Sequence, residues 1–586
     1  MIIPGFKGGV ADSLFDPLEK QTFQTARNLD VIGEQNILTP LSLFTDINTP
    51  ADGSDNFTPL NVTKGSNGRY YVIGKITITD SNVALYSTAA LAALPTWNVD
   101  FRINTGNTMS SAIEEFKDRI FFAYSTILKA WGLLTGTKPT FTVTIASPGI
   151  FTSTGHGLAD GDSVIFTTTG ALPTGLTAGT AYFVITAGLT ADAFEVSATP
   201  GGSAVNTSGG QSGTHSLQQT KTISSSLTTG LDFLREHKGL GKLFFIHNSG
   251  KTIGHYDNTT VTLAALTLEK DDTAVGAEPY GRFMIIGIRS SAKKDRFLVW
   301  DGSATTFEQL IPTGDIGLQT FRVIGSTIHY LVANSTTGGQ FFRYYKLTMG
   351  GEPQLIKEFK PGTTTGATTV SPNGVDFVGD TFQFAFTGDT YSLLDQVIWA
   401  YGSGGKNLPN LLTPLRTVLD GATTNKVFLA IKNLQDGLIV IWRNNALDTP
   451  YHIEATGISG NISDDGVYES NAFLLSGGLP AKIKRITINH KPLPASCGFT
   501  VKVKHFGHYP RGTSIPAEDS YAILYTPEGN SATSGMSQST TNTTYTILED
   551  PNVFKSARFA QIQILFDEVS TTNAASIIFP IIIETE

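Results

Sequence analysis

A turn followed by a short, mostly apolar run returns along this chain at a nearly constant interval. It is read in "GRYYVIG" at Tyr70, "KDRIFFAY" at Ile120, "GKLFFIHNSG" at Leu243, "GRFMIIGI" at Met284, "GSTIHYLVAN" at Ile328, "GDTFQFAFTGD" at Phe382 and "TNKVFLAIKN" at Val427. Successive spacings are 50, 123, 41, 44, 54 and 45 residues. Removing residues 140–218 shortens the long interval to 44, so this block reads as a domain inserted into the second unit. A period of about 40–50 residues with several short strands per unit is the spacing of β-propeller blades. Hairpins fill the units: "DRFLVWDG" follows "GRFMIIGI", "QFFRYYKLT" follows "STIHYLVAN", and "DGLIVIWRNN" follows "NKVFLAIKN". Gly supplies the positive φ that their tight turns require.

Composition agrees. Charged residues make up 16% of the chain, while Gly numbers 60. Long solvated helices carry Glu, Lys and Arg on their outer faces, and an average domain holds about 25% charge. The expected fold is all-β: a β-propeller of six to eight blades, an inserted small β-barrel or sandwich, and a C-terminal β-sandwich. The boundaries read as an N-terminal arm 1–25, propeller 26–139, insert 140–218, propeller 219–474 and sandwich 475–586. The segment 28–44 is expected to close the ring by pairing with a late strand. A continuous apolar run such as "KLFFI" suits the innermost strand of a blade, packed on both faces. The terminal "SIIFPIIIETE" must be covered by the sandwich or by another subunit, and Pro580 suits an edge strand.

The net charge of −9 and the scattered Lys and Arg argue against a nucleic-acid-gripping surface. "AKIKRI" and "VKVKH" alternate with apolar residues, as solvated strand faces do. A lone Cys497 excludes an intrachain disulfide and fits a reducing cytoplasm. Neither a signal peptide nor an apolar membrane span is read.

The search for chemistry yields little. "GDSV" superficially resembles an esterase block, but Ser163 opens a strand. "STGHGLADGD" lacks the Lys-Ser/Thr of a phosphate cradle and reads as a turn. His505 and His508 have no third ligand, and "NISDDGVYE" lacks the alternating carboxylates of a calcium loop. A carboxylate pair for glycoside cleavage has no sequence spacing, so that enzyme class stays open as an alternative. The expectation is a chain without catalytic residues, cofactor or metal.

Two stretches carry a resemblance. Gly8, Gly9, Val10, Ala11 and Asp12, followed by Ala26, Arg27, Asn28, Leu29 and Asp30, resemble the opening of structural proteins of tailed-bacteriophage tails. "TGHGLADGDSVIF" with "AYFV" and "FEVS" looks like a Gly/Thr-rich β-module of phage virion proteins. The resemblance implies a virion tail protein, of nozzle or hub type, that forms a homo-oligomeric ring around the DNA exit channel. Implied partners are other tail proteins such as an adaptor or fibres, genomic DNA passing without specific binding, and a host surface met by the inserted module. A receptor-binding tail fibre or spike is the alternative within that class. Phe6 and Phe15, in an arm outside the repeat, are the expected assembly anchors.

Overall fold

The computed structural model describes residues 55–76, 82–103, 109–228, 233–336, 339–359 and 370–386 continuously, and the remainder in strand-length runs. It is a seven-bladed β-propeller joined to a β-sandwich, with a barrel set into blade 2. Blade 1 holds strands Asp55–Lys64, Tyr70–Ile76, Asn82–Thr88 and Asn98–Ile103. Blade 2 holds Met109–Phe116, Arg119–Tyr124, Ile127–Gly132 and His215–Ser224, and blade 3 runs from Phe233 to Thr267. Blades 4, 5 and 6 span Asp272–Pro312, Leu318–Phe359 and Val375–Thr417. Blade 7 has Lys426–Asn433, Leu438–Asn444 and Tyr451–Thr456, and takes its fourth strand, Phe44–Ile47, from the other end of the chain. The first strand of each blade packs on the first strand of the next, and that of blade 7 on that of blade 1. The ring is closed.

Local chemistry explains the blades. The turn from Phe116 to Arg119 places Lys117 and Asp118 at φ 50° and 63°, the two positive values of a type I′ hairpin turn. Asp118 then accepts hydrogen bonds from Ser66 Oγ, the Thr135 and Gly136 amides and Thr135 Oγ1. One carboxylate thus ties blade 1, the blade 2 turn and the exit towards the insert.

The apolar runs lie one place farther from the axis than expected. Tyr70, Ile120, Leu243, Met284, Ile328 and Phe382 all sit in second strands. Second strands are flanked in-sheet and covered on both faces by adjacent blades, which is why every residue from Leu243 to Ile246 of "KLFFI" is buried. Val427 falls instead in a first strand, and the run equivalent to the others in blade 7 is Leu438–Asn444.

The insert leaves after the third strand of blade 2. Strands Thr140–Val143, Phe151–Thr152, Ser163–Thr168, Ala181–Ile185 and Ala193–Ser197 close a six-stranded barrel with His215–Ser224. That last strand belongs to both bodies: residues 215–219 pair within the barrel, and 219–224 pair with 128–132 of blade 2. Phe141, Phe151, Phe166 and Phe194 form the barrel core, the rings of Phe151 and Phe166 stacked at 4.8 Å.

The chain ends depart from expectation. Thr22–Arg27 pairs with the sandwich strand Val467–Ser470 and Ile37–Pro40 with Ile577–Thr585, while Leu29–Asp30 pairs with Ile37–Pro40; none of the three pairs with a blade. Ring closure falls to Phe44–Ile47, which starts at the last residue of the segment assigned to it and continues past its end. Ile2 and Ile3 pair with Ile582 and Ile581. The apolar C-terminal strand is therefore covered within its own chain, by the N-terminus on one side and Ile483–His490 on the other. Pro580 is not on an edge strand; a register shift between Thr487 and Asn489 accommodates it, as a bulge can. One core unites both sheets, including Phe23, Leu38, Ile486, Val501, Ile564 and Ile583.

Ile47 is buried in the closing strand. Ile47→Ala should cost about 3 kcal/mol through lost burial and a residual cavity. Hydrogen exchange should show Tyr451–Thr456 losing protection before the strands of blades 3 and 4.

Candidate functional site at the propeller axis

First strands converge on the axis, where there is room for few side chains and no apolar partner layer. Six of the seven carry a charge there. Glu114 of blade 2, Arg235 of blade 3, Glu278 of blade 4, Arg322 of blade 5, Asp376 of blade 6 and Lys432 of blade 7 alternate in sign around the ring. Blade 1 is neutral between Phe57 and Thr63 and offers Asn61, whose Nδ2 donates to the Ser111 carbonyl of blade 2 at 2.7 Å. Perfect alternation cannot close over seven places. A neutral seventh position keeps Lys432 and Glu114 from flanking a like charge.

Distances define a network. Arg235 Nη2 lies 2.7 Å from Glu278 Oε1, and its Nη1 3.9 Å from Glu114 Oε2. Arg322 Nη1 reaches the same Glu278 oxygen at 3.3 Å. Asp376 Oδ2 accepts the Asn433 amide at 2.8 Å. Burial works against the charge of Arg235, but Glu278, Glu114 and Asp376 together raise its pKa above the ordinary value. Burial pulls the Arg322 pKa down, with Glu278 opposing. Lys432 is lowered to about 8, first by burial and then by Arg235, against the pull of Asp376.

A second device crosses the same axis. The short stretch Ser371–Asn373, ahead of blade 6, sends Ser371 Oγ to the Leu429 carbonyl of blade 7 at 2.7 Å. The Pro372 carbonyl accepts from Thr320 Oγ1 and Arg322 Nη2 of blade 5, each at 3.2 Å. Asn373 Nδ2 donates to Ser111 Oγ of blade 2 at 3.1 Å, and its carbonyl accepts the Ile431 amide of blade 7. Touching blades 2, 5 and 7 together, this segment lies across the axis. Glu278 pairs with both guanidinium groups, while Arg235 Nε stays buried without a hydrogen-bond partner among the described residues.

The residues singled out in the sequence lie elsewhere. Phe6 and Phe15 are outside the described residues, as are His508 and residues 461–465. His505 is buried in the strand Cys497–Phe506. Ser163 opens the strand Ser163–Thr168, and its neighbour Asp162 has a structural task. Asp162 forms a buried ion pair with Lys129 of blade 2 and accepts from Thr220 Oγ1 at 2.8 Å and the Ala159 amide at 2.7 Å. It fastens the barrel to its blade. Sequence reading missed the axial charges, although a signal existed: charges of alternating sign recur at the blade spacing, with Arg235, Glu278, Arg322, Asp376 and Lys432 spaced 43, 44, 54 and 56 residues apart.

Glu278→Gln leaves Arg235 and Arg322 without their shared partner and should cost about 3 kcal/mol, as breaking buried pairs does. Glu358→Gln, at a half-exposed pair with Arg343, should cost under about 1 kcal/mol in the same urea titration. Lys432 gives a pH test. With a folded pKa near 8 against 10.5, the folded state binds fewer protons than the unfolded state between those values. Stability from this site is least below pH 8 and rises as pH climbs towards 10.5. Lys432→Met should remove that rise, read from urea midpoints at a series of pH values.

No protein-family model matches the sequence, and no curated protein matches it. Among solved structures the chain is similar to the WD40 β-propeller domain of Doa1, with 9% identity, TM-score 0.33, covering 71% of this chain and 97% of that one. It is also similar to YCF48 bound to D1 peptide, with 9% identity, TM-score 0.38, covering 74% and 98%. A third is Trypanosoma rangeli sialidase in complex with sialic acid, with 8% identity, TM-score 0.30, covering 92% and 97%. This last comparison corrects the expectation of a chain without catalysis. Glycan-cleaving propellers stand among the similar structures, and a carboxylate-based site leaves no sequence motif whose lack could argue otherwise.

Proposed function

We propose that this chain is a structural component of a bacteriophage tail, a nozzle or hub protein that assembles as a homo-oligomeric ring at the DNA exit channel. The observation that carries the reading is mechanical. The propeller axis is filled by its own charges and by Ser371–Asn373, while both chain ends are woven into one sandwich core. Such a body is a solid building block. In a ring of such blocks, DNA passes between subunits rather than along a blade axis, and a net charge of −9 gives it little to grip. The openings at Gly8–Asp12 and Ala26–Asp30 support the same class through their resemblance to tail proteins. The barrel, fixed to blade 2 by a shared strand and the Lys129–Asp162 pair, is a rigid arm suited to a neighbouring tail protein or the host surface.

Particle images and mass measurement of the purified protein test this. The expected result is a closed ring, alone or with neighbouring tail proteins. Phe6→Ser with Phe15→Ser should release monomers whose β content is unchanged. A wild-type protein that stays monomeric at high concentration and joins no tail protein overturns the proposal. So does release of reducing sugar from host polysaccharide, which would assign a glycan-cleaving role.

A further inference from the structure

The ring closes on a short edge strand. Phe44–Ile47 is four residues long and pairs on one side only, with Tyr451–Thr456. Phe44 is buried towards blade 6 and Ile47 towards blade 1, while Asp46 stays half-exposed. Register sets Asp46 directly opposite Glu454, a wholly buried carboxylate that accepts a hydrogen bond from Trp442 Nε1 at 2.9 Å. Like charges opposed across two strands weaken the pairing. Two places before Glu454 stands His452, its Nδ1 3.6 Å from Asp46 Oδ2. The imidazole lies flat on the indole of Trp442, at 4.2 Å and 10°. Stacking thus fixes it beside the one anionic side chain of the closing strand. Two cations stand nearby among the described residues: Lys426, 4.9 Å from the Trp442 ring, and Arg416 of blade 6, 5.7 Å from the Phe44 ring. Arg443 lies over Tyr451, one place along and so on the other face of the sheet.

We propose that blade 7 carries a proton-operated latch, in which protonated His452 clamps the closing strand to its blade through Asp46 and loss of that proton loosens it. Histidine is the side chain that ordinarily changes charge between pH 5 and 8. The sign follows from what closing changes. Trp442, Glu454 and Lys426 sit on other strands of blade 7, and Arg416 on blade 6, so they surround His452 whether or not the closing strand is docked. Asp46 arrives with that strand. Docking brings a carboxylate up to the imidazole, so a proton there is held more firmly in the closed ring than in the open one. By linkage the protonated state favours closure: the gain is present at acid pH and is lost as pH rises through the titration of His452. The same positive charge offsets the opposition of Asp46 and Glu454. Both members of the pair keep contact with water, at 19% and 49% exposure. Desolvation therefore takes little from the attraction, and solvent screening holds the effect to a few-fold change. Burial lowers the Arg416 pKa to about 10, which leaves its charge constant over this range. The latch lies within one subunit, so it stands or falls independently of the tail reading.

Hydrogen exchange of the full chain at about pH 5.5 and about pH 8, towards either end of the histidine range, tests the latch. Each rate is corrected for the pH dependence of free amides. Protection is read relative to residues 283–300 of blade 4, because Asp100 and Lys432 titrate near this range and move whole-protein stability. On that scale peptides covering 44–47 and 451–456 should exchange about fivefold faster at the higher pH. His452→Gln, which takes no proton there, should exchange equally at both. His452→Arg, planar and charged throughout, should stay protected at both. Asp46→Asn should flatten the dependence as His452→Gln does. Wild-type peptides that exchange alike at the two pH values, or faster at the lower one, overturn the proposal without need of any variant. So does a pH dependence that survives in His452→Gln.

Discussion

Opposite charges alternating around a narrow axis are the constraint on which this propeller depends. Glu278 alone holds guanidinium groups from the blades on either side, at 2.7 and 3.3 Å. A buried ion pair is weak evidence for net stability, because desolvation offsets most of the Coulomb attraction. Its better attested use is specificity. Exchanging two blades of opposite sign would set like charges beside each other at the most crowded part of the molecule. The neutral strand of blade 1 follows from the odd blade number, since one position of seven must break the alternation.

Closure of the ring depends on the early chain as much as on the blades. Phe44–Ile47 pairs with Tyr451–Thr456, so blade 7 is complete only when strands about 400 residues apart in sequence meet. Immediately before it, Ile37–Pro40 and Thr22–Arg27 are strands of the C-terminal sandwich. The same short stretch of chain therefore locks two bodies. Asn28 marks the passage between them, its amide bonded to the Leu415 carbonyl of blade 6 and its carbonyl accepting the Leu41 amide.

The barrel is held by similar economy. Its last strand continues as the outer strand of blade 2, so there is no linker to bend, and the Lys129–Asp162 pair closes the corner. A hinge at this point would expose Asp162, which is wholly buried and has three hydrogen-bond donors. The orientation of barrel to propeller is part of the fold.

Periodicity and composition by themselves determined that the chain is a propeller with an insert in its second unit. Second strands must be apolar on both faces, and that demand writes a repeat into the sequence at Tyr70, Ile120, Leu243, Met284, Ile328 and Phe382. Alternation in "GFTVKVKHF" and "ARFAQIQILF" likewise revealed a two-faced sheet, and these strands pair, Val501 opposite Ile564. Tertiary structure decided the rest. A solitary charge in a strand, such as Arg322 or Asp376, looks like a solvated face until seven strands bring it to one axis. Asp162 in "GDSV" looks like a turn until Lys129 arrives from another sheet. The partners of Ile2, Ile37 and Phe44 lie more than 400 residues away, at Ile582, Ile578 and Thr456. Local pattern records which face of a strand is covered, because that depends on the strand's own side chains. It does not record what covers it, because long-range partners leave no mark in spacing.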